Sequence, residues 1–262
     1  MKKTLGCLRR ADQDFKLLQD EDRIAVGVSG GKDSMLLLKA LSLYRRFSKK
    51  HFSITAVNVG MGLGFDPAGI EAFCRELEVD FRYVDARLLE VVQSVTKTPD
   101  RPSCALCAKL RRGTVNTAAV AAGCNKVALA HHRDDVLETF LMSMFYEGRL
   151  NTLSPKSYLS RQKLTVIRPF VYLPEKHIIG AVRREGVPIV PSTCPFDGYT
   201  NRQRMKDLIK ELRKTVPRAD EMMFFALSNT DGYNLWDKAK QYGTDGAVNG
   251  ESPQRPINST TE

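Results

Sequence analysis

A chain of 262 residues with 42% hydrophobic content can bury one sizeable core with a short appendage, and 40 Lys+Arg against 30 Asp+Glu leave a formal charge of +10. That balance favours a polyanionic partner such as nucleic acid over an acidic small molecule alone. No stretch has the layout of a signal peptide or the length of a bilayer span, which argues against a membrane protein and for a cytoplasmic one whose six cysteines are reduced thiols.

In chain order, residues 1–20 read as a polar, helical N-terminal segment, 24–28 as a buried strand and 34–47 as a helix. The alternation returns with a strand at 54–59, a helix over 67–77 and a strand at 81–84. A Pro-containing connector at 96–103 leads to a helix over 104–122 that begins at a cysteine pair. A strand at 126–130 and a helix over 134–146 follow. Strands alternating with helices predict an α/β fold with a doubly wound parallel sheet covered on both faces. Ligands of such sheets sit at the carboxyl ends of the strands, so chemistry is expected just after Val28, Val59 and Ala130.

From about Leu150 the pattern changes. It offers a short strand at Leu164–Ile167, a helix over 175–184, a turn through Pro188 and Pro191, and two basic helices over 201–213 and 218–228 that form a helical C-terminal extension. The main domain is expected over 21–230. Residues 231–262, rich in Gly, Asn, Ser, Thr and Pro, read as a disordered tail.

Ser29-Gly30-Gly31-Lys32-Asp33-Ser34 stands between the first strand and its helix, where backbone N–H groups and the positive helix end converge on an anion. Phosphate is the natural occupant. Glycines let the backbone close on its oxygens, Ser29 and Ser34 donate hydroxyl hydrogen bonds, Lys32 adds charge and Asp33 can hold Mg²⁺. The spacing is not that of a Walker loop, because Asp33 stands where Ser or Thr would be required. The loop resembles the PP-loop of the ATP-pyrophosphatase superfamily, whose members adenylate a substrate and release pyrophosphate.

His131-His132-Arg133-Asp134-Asp135, with Glu138 and Thr139, follows the fourth strand, and its first residues should face the same crevice as the glycine loop. His132 is the candidate for phosphate or substrate contact. Asp135 is a second candidate, although Asp134 and Asp135 also suit a helix cap. Asn58 and Val59 end the second strand, where backbone groups can meet adenine edges.

Cys104 and Cys107 place two thiols at one helix start, where the dipole favours thiolate and metal ligation. With Cys194, in Pro191-Ser-Thr-Cys194-Pro, three thiolates fit an iron–sulfur cluster with one iron open to an exogenous sulfide. A zinc site completed by a histidine or Asp197, a thioredoxin-like redox pair, or unrelated buried thiols are the competing readings. Cys7, Cys74 and Cys124 read as small packing residues.

Taken together, these motifs resemble the tRNA 2-thiocytidine synthetase (TtcA-type) family of PP-loop enzymes. The resemblance rests on residues 29–34, on Cys104-Ala-Leu-Cys107-Ala-Lys-Leu-Arg111-Arg112-Gly113, on 131–139 with Phe145-Tyr-Glu-Gly148, and on Cys194-Pro with Asn201-Arg202, and spans about 21–230. It implies a tRNA cytidine substrate, ATP and Mg²⁺, a 4Fe-4S cluster on Cys104, Cys107 and Cys194, a sulfide or persulfide donor, and a homodimer. Ala130 departs from a common glycine, and Asp197 stands where some members have a further cysteine. On this reading ATP is held by Ser29 to Ser34, Asn58, Val59, His132 and Asp135, while Lys32, Mg²⁺ on Asp33, and Arg111 or Arg112 steady developing phosphate charge. Basic residues at Arg183-Arg184, 202–206 and 210–218 are candidates for phosphate-backbone contact. Lysidine synthetases and thiouridine-type thiolases share the loop, and a non-enzymatic RNA-binding protein that senses a nucleotide or a cluster is the alternative outside enzymes.

Overall fold

The computed structural model describes residues 1–60, 62, 64–95, 104–191 and 201–229, with only the backbone of Cys104 and Ala105. Cys194, Asp197 and the expected tail therefore lie outside the described residues. The chain divides into two units, Met1–Phe225 and Ala226–Glu262. Of the second, only 226–229 are described.

The elements run α1 (Lys2–Phe15), β1 (Asp22–Gly27), α2 (Lys32–Phe47), β2 (Phe52–Gly60), α3 (Ala68–Glu76), β3 (Asp80–Asp85), α4 (Leu88–Val95), α5 (Cys104–Ala121), β4 (Lys126–Ala128), α6 (Arg133–Glu147), β5 (Lys156–Leu159), β6 (Leu164–Ile167), α7 (Glu175–Glu185), α8 (Asn201–Thr215) and α9 (Ala219–Ser228). The sheet has the order β3-β2-β1-β4-β6-β5. All neighbours pair in parallel except β5, which returns antiparallel on β6 at the edge. Ile24, Ala25 and Val26 of β1 and Ala56 and Val57 of β2 have no solvent exposure, as expected of strands covered on both faces.

The chain winds outward from β1 through β2 to β3, then crosses back to lay β4 on the other side of β1. The loops after β1 and β4 thus leave in opposite directions and open a crevice between them, the place where such sheets bind ligands. Register puts Gly27 of β1 opposite Val57 of β2, and Val26 opposite Ala128 of β4, so β1 and β4 end within one residue of each other while β2 runs on three residues to Gly60.

At the opposite edge, Lys126 and Asp22 form a buried ion pair at 2.7 Å. Lys126 Nζ also donates to Leu17 O, and Asp22 accepts from Gln19 N and Asn125 Nδ2. Both charges are therefore hydrogen bonded as well as paired, which a buried pair requires.

Helix α5 sits on β1, β2 and β4, with Val115, Ala119 and Cys124 in the core beside Ala25, Val57 and Val127. Its last turn meets the amino edge of the sheet, where Asn125 N donates to Arg23 O. It therefore runs against the strands and raises its first turn, with Cys104 and Cys107, toward the carboxyl edge. Val115 is level with Gly27, and Cys107 lies two turns earlier, about 12 Å further along the axis. Cys107 and Leu110 pack against the core cluster that holds Val59 and Leu88. Cys74 and Cys124 are buried, and burial raises both thiols, Cys74 to about 11, so they are packing residues.

Candidate active site

The glycine loop closes on itself before any ligand arrives. Ser34 Oγ donates to Gly31 O at 3.0 Å and accepts from Ser29 N at 3.1 Å, while the Ser29 and Ser34 hydroxyls lie 3.2 Å apart. Gly31 caps α2 in extended conformation, leaving the first N–H groups of the helix facing the crevice. Gly30 has φ +85°, and a Cβ there would lie 3.0 Å from Val190 Cβ and 3.1 Å from Val190 O. Only glycine meets both demands without displacement. The close approach comes from Val190 N donating to Gly30 O at 3.0 Å, so the chain after α7 crosses the loop.

Lys32 Nζ lies 2.9 Å from Asp33 Oδ2 and 3.1 Å from Glu175 Oε1. Burial works against its charge, but Asp33 and then Glu175 outweigh it and hold the ammonium above its ordinary range. Glu175, at the start of α7, is also 2.7 Å from Lys206 Nζ of α8. Its carboxyl, opposed by burial, is pulled down to about 2 by Lys206 and Lys32.

His132 caps α6. Its Nδ1 accepts from Asp135 N at 3.4 Å while its own N–H donates to Asp135 Oδ2 at 2.9 Å. With Nδ1 an acceptor, the proton of the neutral ring sits on Nε2, 3.4 Å from Asp135 Oδ2 and 3.8 Å from Asp33 Oδ1. Asp33 and His132, from opposite sides of the switch point, thus face each other. Asp135 performs the cap and also meets Arg202 Nη1 at 3.3 Å. Asp134 accepts from Glu175 N and from Arg213.

Sequence reasoning passed over Glu138, Glu175 and Arg168 as site members. Glu138 is buried one turn into α6 and lies 3.2 Å from Arg202 Nη1. Burial, then Asp135, push its carboxyl up to about 7 against the pull of Arg202. The basic helix α8 is committed inward, with Arg202 on Asp135, Glu138 and Thr139, Lys206 on Glu175, and Arg213 on Asp134 and Asp220. Arg218 pairs with Glu221. With Lys214 on Glu211, five of the cations expected to meet nucleic-acid phosphates are therefore engaged by carboxylates of this chain, while Arg204 and Lys210 stay exposed.

Asn58, two residues before the end of β2, is buried. Its Nδ2 donates to Val28 O at 2.6 Å, and Val59 beside it is in the core. Asn58 Oδ1 has no hydrogen-bond partner, and neither do the buried atoms Asp33 Oδ1, Arg111 Nε, His131 Nδ1 and Arg168 Nε. Those five residues lie after β1, at the end of β2, after β4, after β6 and on the first half of α5. A sixth unmatched atom, Arg133 Nε, sits at the start of α6 on a side chain paired with Asp220; folded proteins leave few buried polar atoms unmatched, so the concentration of the other five along one edge of the sheet marks polar ligand binding there. The orphaned Asp33 Oδ1 suits a divalent cation. Among the described residues no group of three metal-ligating side chains forms, and no helix is long and apolar enough to cross a membrane.

A doubly wound parallel sheet whose first strand ends in Ser-Gly-Gly-Lys-Asp-Ser defines a nucleotide-binding PP-loop domain, and a family model described as a PP-loop domain matches residues 7–211. The chain is 38% identical over 239 residues to the tRNA-cytidine(32) 2-sulfurtransferase of Syntrophotalea carbinolica, covering 90% of this chain and 92% of that one. It is 37% identical over 232 residues to the enzyme of the same name from Citrifermentans bemidjiense, covering 87% and 91%. In fold it is similar to the U34-tRNA thiolase NcsA from Methanococcus maripaludis, solved with its 4Fe-4S cluster, with a TM-score of 0.69 at 22% identity over 87% of this chain and 77% of that one. The chain belongs to the tRNA-cytidine(32) 2-sulfurtransferase family of PP-loop proteins.

Proposed function

We propose that this protein is an ATP-dependent, cytoplasmic tRNA sulfurtransferase that activates O2 of cytidine 32 by adenylation and replaces it with sulfur. The observation that carries the reading is the meeting of two features at one sheet edge. The glycine loop and its unmatched polar atoms stand there, and the first turn of α5 brings Cys104 and Cys107 to the same edge.

The Gly30 and Gly31 backbone and the Ser29 and Ser34 hydroxyls hold the phosphates of ATP, with adenine against the end of β2 at Asn58 and Val59. The cytidine O2 attacks the α-phosphorus, the bond to the bridging oxygen breaks, and pyrophosphate leaves. Lys32, already held at the loop by Asp33 and Glu175, takes up the charge of the leaving group. Asp33, whose Oδ1 has no partner, would hold Mg²⁺, which would offset phosphate charge, while His132 and Asp135 fix the wall opposite. Sulfide then adds at C2 and AMP departs with the former O2, its phosphate steadied by Arg111. Sulfur enters at the oxidation level of sulfide, so the exchange needs no reductant; a persulfide donor would be reduced by two electrons beforehand.

Cys104 and Cys107, one helical turn apart on the same face at a positive helix end, suit two thiolate ligands of a 4Fe-4S cluster. Cys194 would be the third, with the Asp197 carboxylate three residues on in sequence. Val190 N donates to Gly30 O at the glycine loop, and Cys194 follows Val190 by four residues in sequence. The cluster, when bound, supplies an iron site that can hold sulfide. The test is anaerobic incubation of the reconstituted protein with tRNA, ATP and sulfide, followed by nucleoside mass spectrometry. Formation of 2-thiocytidine that requires ATP is expected; thiouridine, or no thiolated nucleoside, overturns the assignment.

A further inference from the structure

Beside the glycine loop the carboxyl edge carries a second polar cluster, two guanidiniums around a histidine. Arg168 follows β6, His131 follows β4, and Arg112 comes from α5. Strands lie about 4.8 Å apart, so β6 is roughly 10 Å to the side of β1 and its phosphate loop. The three side chains act on one another. Burial, then Arg168, Arg202 and Arg112, outweigh Asp135 and push the His131 imidazole down to about 4. Burial and then Arg112 likewise disfavour the charge of Arg168.

Of the guanidiniums around His131, Arg202 is neutralised by Asp135 and Glu138. Arg112 is exposed and makes no ion pair among the described residues. Arg168 donates Nη1 to Ser154 O at 2.6 Å but leaves Nε buried and unmatched, as His131 leaves Nδ1. Neighbouring cations without a carboxylate, together with buried nitrogens without partners, cost stability unless an anion joins them. A planar guanidinium matches a phosphate with two parallel hydrogen bonds.

We propose that Arg112, Arg168 and His131 form a phosphodiester site, separate from the glycine loop, that grips the RNA backbone beside the nucleotide entering the crevice. The identity of the anion as RNA rests on the tRNA substrate proposed above; the same chemistry would also take a nucleotide phosphate. Its place two strands away from the loop, open to solvent through Arg112, favours a polymer whose target base reaches inward while its backbone stays outside.

Equilibrium tRNA binding by wild type, Arg112→Met and Arg168→Met, measured between about 50 and 200 mM salt, tests it. Each substitution should weaken binding about tenfold near 0.1 M salt and reduce the slope of log affinity against log salt by about 0.7–0.9, the loss of one phosphate contact. Arg168→Lys should restore most of the slope, which a purely structural role through Ser154 would not require. ATP binding without tRNA should stay within about twofold of wild type in Arg168→Met. Unchanged slopes in both Met variants overturn the site, and so does lost ATP binding with unaltered tRNA binding, which would assign the cluster to the nucleotide. A wild-type protein that makes no 2-thiocytidine while the slopes still differ overturns the activity proposed above and leaves this site standing.

Discussion

Replacing Glu175 by Gln removes the carboxylate that joins Lys32 of the glycine loop to Lys206 of α8, at 3.1 and 2.7 Å. The carboxyl is pulled from 4.5 to about 2 against the effect of burial. A depression of roughly two and a half units corresponds to at most about 3 kcal/mol at neutral pH. The Glu175 side chain is 15% exposed but Lys206 is 45% exposed, so solvent screening brings the expected loss to about 2 kcal/mol. The sign follows from the direction of the shift. A carboxyl with a depressed folded pKa stabilises above its unfolded value of 4.5 and loses that contribution as pH falls through about 2. Urea unfolding of wild type and Glu175→Gln, compared at each pH, should therefore show a gap of about 2 kcal/mol at pH 7 that shrinks below about 1 kcal/mol at pH 3. A gap of the same size at both pH values would show that the loss comes from packing and that the Lys32–Glu175–Lys206 bridge is energetically idle.

Glu138 carries the opposite sign. Its carboxyl is raised to about 7, so the benefit of keeping it protonated is lost as pH rises through that value, and Glu138→Gln should be more stable than wild type by about 1–3 kcal/mol at pH 8 with little difference at pH 5, read by thermal or urea unfolding. Gly30→Ala forces a side chain to φ +85° and against Val190; stability should fall by roughly 1–3 kcal/mol and ATP binding with it, measured by unfolding and calorimetric titration. Lys126→Met strands Asp22 at the amino edge of the sheet and should cost about 3–5 kcal/mol, while adding Asp22→Asn should recover a large part of that loss in the same unfolding assay.

The sheet was legible because its strands are short apolar runs between turn residues and each is followed by a helical period. Even so, β4 stops at Ala128, two residues before the apolar run does; the bond from Leu129 N to Ile167 O is its last on β6, and the chain then turns to place His132 as a helix cap. β5 was missed because an antiparallel edge strand, Lys-Ser-Tyr-Leu, carries little hydrophobic signal. α4 was missed as a short helix whose apolar residues, Leu88, Leu89 and Val92, are explained only by the core they cover.

The site divides in the same way. The glycine loop and the His-His-Arg-Asp-Asp run are local, so their chemistry could be read from adjacent residues. Glu175 meets Lys32, and Arg202 meets Glu138, across long stretches of chain. No spacing rule reveals such pairs. For that reason the pairing of Arg202, Lys206 and Arg213 with carboxylates could not be read from the sequence of α8, and Arg168 went unremarked although it follows a strand end.

The proposed activity divides into two separable half-reactions, activation at the glycine loop and sulfur delivery at the cysteines. The most direct measurement is tRNA-dependent pyrophosphate release alongside 2-thiocytidine formation in Lys32→Ala and Cys107→Ser. Lys32→Ala should lose both products, and Cys107→Ser should still release pyrophosphate while forming no thionucleoside. Thiolation at the wild-type rate in Cys107→Ser, or undiminished pyrophosphate release in Lys32→Ala, would contradict it.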